Sequence, residues 1–274
     1  MTAAPEAPRL DVAGRSDVGL ARKDNQDHFL TAKLGKSLEL LDTNLADTAS
    51  LERFRDTRGV LMAVADGVAG SSDGAGASTT AVRVLAEHVQ EVVGCYFADV
   101  LAEDVFLVSL EEAVQKAHEK VVAESEGERG AATTLTLAVV VWPRAYLVHV
   151  GDSRLYLKRG ERLRQITEDQ TLAEMLVGSG RMSEEEAAKA GMGHVLTSAI
   201  GGRAAAPTVG LVDLEAGDTV LLCTDGLNRH VDDDRIDAIL EACVDSREAV
   251  DALVEEALAG GGKDNVSVIV LRAG

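Results

Sequence analysis

The chain has 274 residues, of which 46% are hydrophobic, 27% charged and only 3% aromatic, so it can bury a large core built mainly from Val, Leu, Ala and Ile. A formal net charge of -19 argues against nucleic acid or an anionic membrane surface as the main partner and favours cations. The longest apolar stretch, Leu135 to Val150, is interrupted by Trp142-Pro143-Arg144, and the first ten residues lack the apolar centre of a signal peptide. A cytoplasmic protein with no membrane span is therefore expected.

Residues 1–8, with two prolines, read as a flexible tail ahead of a single domain over 9–274. Short strands are expected at Leu10–Gly19 and His28–Lys33, separated by the polar turn Arg22-Lys23-Asp24-Asn25-Gln26-Asp27. Gly35–Arg58 carries mixed charge and reads as a loop with one helical turn at Leu51–Arg55. The run Val60 to Ala65 is too short for a helix and is flanked by glycines, so it reads as a strand buried on both faces. It ends on Asp66-Gly67, which is either an ordinary Asp-Gly turn or, given partners elsewhere, a cation ligand whose neighbouring glycine lets the backbone carbonyl approach the same ion.

Helical spacing of Ala81, Val82, Leu85, Ala86, Val89 and Val93 predicts a helix over Ala77–Val93, and Leu110, Ala113, Val114, Ala117 and Val121 predict a second over Ser109–Ser125. Strands follow at Thr133–Trp142, Ala145–Val150, Arg154–Lys158 and Arg162–Ile166, joined by tight turns. Thr167–Gly193 becomes polar and helical, with Ser183 and Glu186 spaced as a capping box, and reads as an excursion over a sheet edge. Further strands are expected at Thr208–Asp213, Thr219–Thr224 and Val266–Leu271, and helices at Asp233–Cys243 and Ser246–Ala259, the last capped by Asp245 and Glu248. The pattern predicts an α+β, four-layer α-β-β-α sandwich: two mostly antiparallel sheets with helix pairs outside. Cys95, Cys223 and Cys243 lie in apolar contexts without metal-ligand spacing and read as buried thiols.

The strand-to-Asp pattern recurs. Val220 to Thr224 runs into Asp225-Gly226, Val148-His149-Val150-Gly151 delivers Asp152, and Asp264 stands just before the last strand. Carboxylates gathered without cations would repel by about 4 kcal/mol per pair at about 4 Å and an effective dielectric of about 20. Oxygen-only donors point to Mg or Mn rather than zinc.

These residues resemble the metal-dependent serine/threonine protein phosphatases of type 2C, the PPM family, in its bacterial form. The resemblance runs in order through Arg22 to Asp27, Asp66 to Gly70, Gly130 to Thr134, Gly151 to Arg154, Thr167 to Asp169, Leu196 to Gly201, Asp225-Gly226 and Gly262 to Asn265. It implies a binuclear Mn2+ or Mg2+ centre at one end of the sandwich. By this resemblance Asp66 bridges two ions, Gly67 gives its carbonyl to one, and Asp225 and Asp264 hold the other. Asp27 lies near that shell and fixes an activated water, and Arg22 grips the substrate phosphate, a task suited to a planar guanidinium. The excursion at 167–193 corresponds to the flap of bacterial members. Asp152 is the residue for a third ion.

Three departures stand out. Gln26 replaces the Glu of many members, Val68 replaces the His that serves animal members as acid, and Arg229 replaces the Asp that helps bind the third ion. Arg229 opposes that ion and is expected to meet Asp152 or the substrate instead. Thr133 and Thr134 are read as packing residues without a chemical role, and His88, His118 and His149 as structural. His28 and His230 lie nearer the site without a motif behind them.

The implied activity is hydrolysis of phosphoserine and phosphothreonine on proteins phosphorylated by a serine/threonine kinase, by a monomer with no nucleic-acid or membrane partner. Two alternatives are a phosphatase-like module that binds metal or phosphoprotein without turnover, and a two-metal phosphodiesterase. The retained acidic and basic residues weigh against the first, and the acidic balance against the second.

Overall fold

The computed structural model describes residues 8–35, 38–44, 59–68, 73–97, 102–125 and 130–274. Its strands are β1 (Leu10–Asp17), β2 (His28–Leu34), β3 (Leu38–Thr43), β4 (Gly59–Ala65), β5 (Leu135–Val141), β6 (Arg144–Val150), β7 (Arg154–Arg159), β8 (Arg162–Gln165), β9 (Thr208–Asp213), β10 (Thr219–Cys223) and β11 (Val266–Ala273). The helices are α1 (Gly74–Phe97), α2 (Glu103–Glu124), α3 (Leu172–Gly178), α4 (Glu184–Lys189), α5 (Asp225–Asn228), α6 (Asp233–Ala242) and α7 (Ser246–Ala259). A short 3-10 turn, Met192–His194, follows α4.

Five strands form one sheet in the order β1-β11-β10-β7-β8, and six form the other in the order β3-β2-β4-β5-β6-β9. All strand pairings are antiparallel. The period of two in each central strand supplies two cores at once. In β4, Leu61, Ala63 and Ala65 face α1 and α2, while Val60, Met62 and Val64 join the core between the sheets. In β10, Leu221 and Cys223 face α6 and α7 while Val220 and Leu222 face the other sheet. Helices cover both outer faces, as the continuous apolar runs require. No helix among the described residues is long and apolar enough to cross a membrane.

Several expectations need correction. Leu38–Thr43 is strand β3 rather than loop: its charged positions are tolerated because it is an edge strand paired only with β2. The helical turn expected at 51–55 and the tail at 1–7 lie outside the described residues. Helix α2 starts six residues earlier than its apolar stripe suggested, with Glu103 and Asp104 in its first turn, where negative charge complements the helix dipole. Asp225–Asn228, given no element between the expected strand and the helix at Asp233, is the helical turn α5. Cys223 is buried, but Cys243 only partly so.

The capping box in the excursion forms as its spacing predicts: Ser183 Oγ accepts from Glu186 N, and Glu186 Oε2 accepts from Ser183 N at 2.8 Å. His149 is structural, fully enclosed in β6 with Nδ1 against Thr136 Oγ1 and Nε2 against the Glu168 carbonyl. Burial pushes its pKa down to about 4. Because the unfolded imidazole titrates near 6.5, this position costs stability as pH falls through that window and costs nothing above it. His149→Gln is therefore expected to gain about 2 kcal/mol relative to the parent between pH 7.5 and pH 5, read from urea unfolding at both values; a pH-independent difference would contradict the assignment.

Candidate metal centre and phosphate site

Antiparallel register brings six strand ends to one end of the sandwich. His28 pairs with Ala65, so Asp27 before β2 sits beside Asp66 after β4. Leu135 pairs with Val150, which puts Thr134 beside the Gly151-Asp152 turn, and β10 and β11 pair so that Asp225 and Asp264 emerge together. A cleft of about 370 Å3 opens there, lined by Arg22, Gln26, Asp66, Gly67, Val68, Thr134, Asp152, Asp225, Arg229 and Asp264, with His194 and Leu196 entering from the excursion. The structure thus brings Arg22, Asp66, Gly67, Asp152, Asp225 and Asp264 together, with Asp27 buried beside them, while His28 and His230 do not line the cleft.

Backbone close to backbone explains the two glycines. A Cβ on Gly67 would lie 2.5 Å from the Gly74 carbonyl, and one on Gly226 would lie 1.9 Å from the Asn265 carbonyl oxygen. Gly67 therefore lets its turn pack against the start of α1, and Gly226 lets α5 pack against the turn before β11. Asn265 is a further brace: its Oδ1 accepts from Gln26 N, and its Nδ2 donates to the carbonyls of Val18 and Asp24.

Hydroxyls hold the carboxylate-bearing residues in place. Thr133 Oγ1 donates to the Asp66 carbonyl at 2.8 Å, and Thr134 Oγ1 accepts from Asp66 N at 3.0 Å. These threonines position Asp66 rather than merely pack. Asp27, fully buried, accepts at Oδ2 from Thr224 Oγ1 and Ser267 Oγ at 2.7 and 2.8 Å. A Thr or Ser in a strand carries no sequence signal for this role, because β-propensity alone would place it there. Arg154 does not meet a cleft carboxylate: it forks onto Asp169, at 2.9 and 2.7 Å, and so ties β7 to the start of the excursion.

Electrostatically the site is short of positive charge. Burial, reinforced by the charges of Asp27, Asp225, Asp152 and Asp264, pushes Asp66 well above the usual carboxylate range. Burial raises Asp27 to about 6 against the pull of its two hydroxyl donors. Asp152 is raised to about 7 by burial and then by Asp225, and Asp225 to about 6 by burial, with Arg229 pulling it back. Asp27 Oδ1 and Asp225 Oδ1 are buried with no hydrogen-bond partner among the described residues. Buried, unpartnered carboxylate oxygens in an all-oxygen donor set fit hard divalent ions such as Mn2+ or Mg2+.

Two arginines modify that picture. Arg22 forks onto Asp264, with Nε to Oδ1 and Nη2 to Oδ2 both at 2.8 Å. Arg229 sits one helical turn after Asp225 and pairs with it through Nη2, while its Nη1 reaches Asp264 Oδ2 at 3.3 Å. Of the expected partners, Asp152 or the substrate, Asp152 feels Arg229 only through its charge, because α5 carries the guanidinium onto Asp225. Among the described residues no three His, Cys, Asp or Glu side chains form a preformed metal cage, consistent with Asp225 and Asp264 being drawn onto guanidinium groups.

A family model described as Protein phosphatase 2C matches residues 42–260. The chain belongs to this family. The serine/threonine protein phosphatase PstP of Mycobacterium tuberculosis is 35% identical over 266 residues, covering 95% of this chain but 44% of the relative, so this phosphatase 2C chain spans less than half of that protein's length. The serine/threonine phosphatase stp of Listeria monocytogenes is 32% identical over 230 residues, covering 82% of this chain and 88% of the relative. Among solved structures, the catalytic domain of PstP in complex with two manganese ions has a TM-score of 0.72 at 34% identity, covering 96% of this chain and 97% of that one.

Proposed function

We propose that this phosphatase 2C chain hydrolyses phosphoserine and phosphothreonine esters on proteins, using two Mn2+ or Mg2+ ions. The observation that carries this reading is the convergence of Asp66, Asp225 and Asp264 with Arg22 in one cleft at the strand ends. Asp66 and the Gly67 carbonyl would hold one ion, Asp66 being shared with the second, and Asp225 and Asp264 would complete that second site. Bound there, such a pair supplies positive charge to the phosphoryl oxygens and makes water a competent nucleophile near neutral pH.

The protein's own groups do the rest. Thr133 and Thr134 fix the backbone of Asp66, and Thr224 and Ser267 fix the Asp27 carboxylate, so that little reorganisation is needed during reaction. Asp27 lies beneath the cleft as an acceptor able to orient the attacking water. Arg22, once free of Asp264, has the fork geometry to hold two phosphoryl oxygens. Val68 cannot donate a proton to the leaving alkoxide; His194, which enters the cleft from the excursion, is an imidazole placed to do so. Asp152 would serve a third ion only weakly with Arg229 nearby.

In this reading residues 9–274 are one catalytic domain, 167–193 is its flap, and the chain works as a cytoplasmic monomer opposing a serine/threonine kinase. The test is release of phosphate from phosphothreonine peptides and p-nitrophenyl phosphate. Turnover with Mn2+ that disappears in EDTA is expected, whereas a regulatory module would bind phosphopeptide without turnover.

A further inference from the structure

Asp225 and Asp264 are the two carboxylates that would complete the second ion's site, and in the structure both already hold a cation belonging to the chain. Arg229 reaches each of them, and Arg22 grips Asp264 from another side. Arg229 is held in place by local helix geometry: it caps α5, its N–H donates to the Asp225 carbonyl at 3.0 Å, and a residue four positions on shares a helical face with Asp225. It is also half-buried, at 31% exposure, beside an Asp225 that is 9% exposed, so solvent screens the pair less than it would a surface pair.

From this geometry we infer that Arg229 is a resident counter-cation of the metal centre. It competes with the ion held by Asp225 and Asp264, makes that half of the centre the weaker one, and couples its filling to the release of Arg22 from Asp264. The inference rests on the two-ion reading above. An ion arriving there needs the Asp225 and Asp264 oxygens that the guanidinium groups hold, so it competes with both arginines for them. A freed Arg22 is then available to the phosphate. The order follows: the Asp66–Gly67 half, whose ligands contact neither arginine, fills first, and the phosphate grip becomes available only when the second half fills. A phosphatase built this way stays closed at low divalent-ion concentration without needing any other partner.

The test is calorimetric titration of Mn2+ into the parent, Arg229→Ala, Arg229→Gln and Arg229→Lys, each freed of metal beforehand. Two classes of binding are expected in the parent. The weaker should tighten about tenfold in both Arg229→Ala and Arg229→Gln, the stronger should change less than twofold, and Arg229→Lys should fall between. Thermal unfolding provides a second readout: in EDTA the Ala and Gln variants should melt below the parent, and saturating Mn2+ should raise their melting temperature by more than it raises the parent's. Unchanged weaker constants in Ala and Gln, with the parent still binding two ions, would overturn the counter-cation role and leave the two-ion reading standing. Absence of Mn2+ binding in every protein would overturn both.

Discussion

Asp66→Asn is expected to lower Mn2+-dependent turnover by about a thousandfold while leaving the metal-free protein folded. The loss of a group that merely orients a metal ligand typically costs about 10- to 100-fold. Asp66 has a larger task, as the carboxylate placed to touch both ions, and Asn keeps its shape while removing the charge. The fold survives because Thr133 and Thr134 bind the backbone of residue 66, not its side chain. Moreover, the native carboxylate is held against its preference for solvent, as its strongly raised pKa shows. An amide at this position therefore removes an electrostatic cost from the metal-free state. Initial rates with p-nitrophenyl phosphate at saturating Mn2+, paired with thermal melts in EDTA, separate lost chemistry from lost structure. A variant retaining a tenth or more of the parent rate would remove Asp66 from the centre of the account.

Gly226→Ala should be the most damaging single-methyl change in the site. The added Cβ would lie 1.9 Å from the Asn265 carbonyl oxygen, a backbone atom that cannot rotate away. The clash forces α5 and the turn before β11 apart, and these are the segments that deliver Asp225 and Asp264. A destabilisation of about 3 kcal/mol is expected, in the range for overpacking against fixed backbone. Gly210→Ala in β9 is the control: a Cβ there meets nothing within 4 Å, so its effect should stay within about 0.5 kcal/mol. Urea unfolding of the two variants checks the contrast, and equal effects would contradict the close-approach argument.

What could be read from the sequence was set by how strongly burial constrains each residue. Strands such as β4 and β10 were legible because both faces are buried, so the apolar run is unbroken and its end on Asp is conspicuous. β3 was not, because an edge strand with one neighbour needs no such run. Asp66, Asp225, Asp152 and Asp264 were legible as site candidates because a carboxylate at the end of a buried strand is costly without a cation. Their supports were not: Thr224 and Ser267 look like ordinary strand residues until register puts their hydroxyls on Asp27. His194 carries no motif because it lies in a polar segment just past the excursion, and only the three-dimensional path of that segment brings it to the cleft. Arg229 was recognised as out of place, yet its partners depended on a single helical turn. Without a helix signal over 225–228, the sequence offers no reason for position 229 to lie over Asp225.

In the proposed function, carboxylates delivered by separate strands form one binuclear centre bridged by Asp66. Its most direct test is the number of Mn2+ ions bound per chain at saturation, counted by equilibrium dialysis with elemental analysis for the parent and Asp66→Asn. Two ions in the parent and at most one in the variant are predicted; an empty parent, or the same count in both, would contradict it.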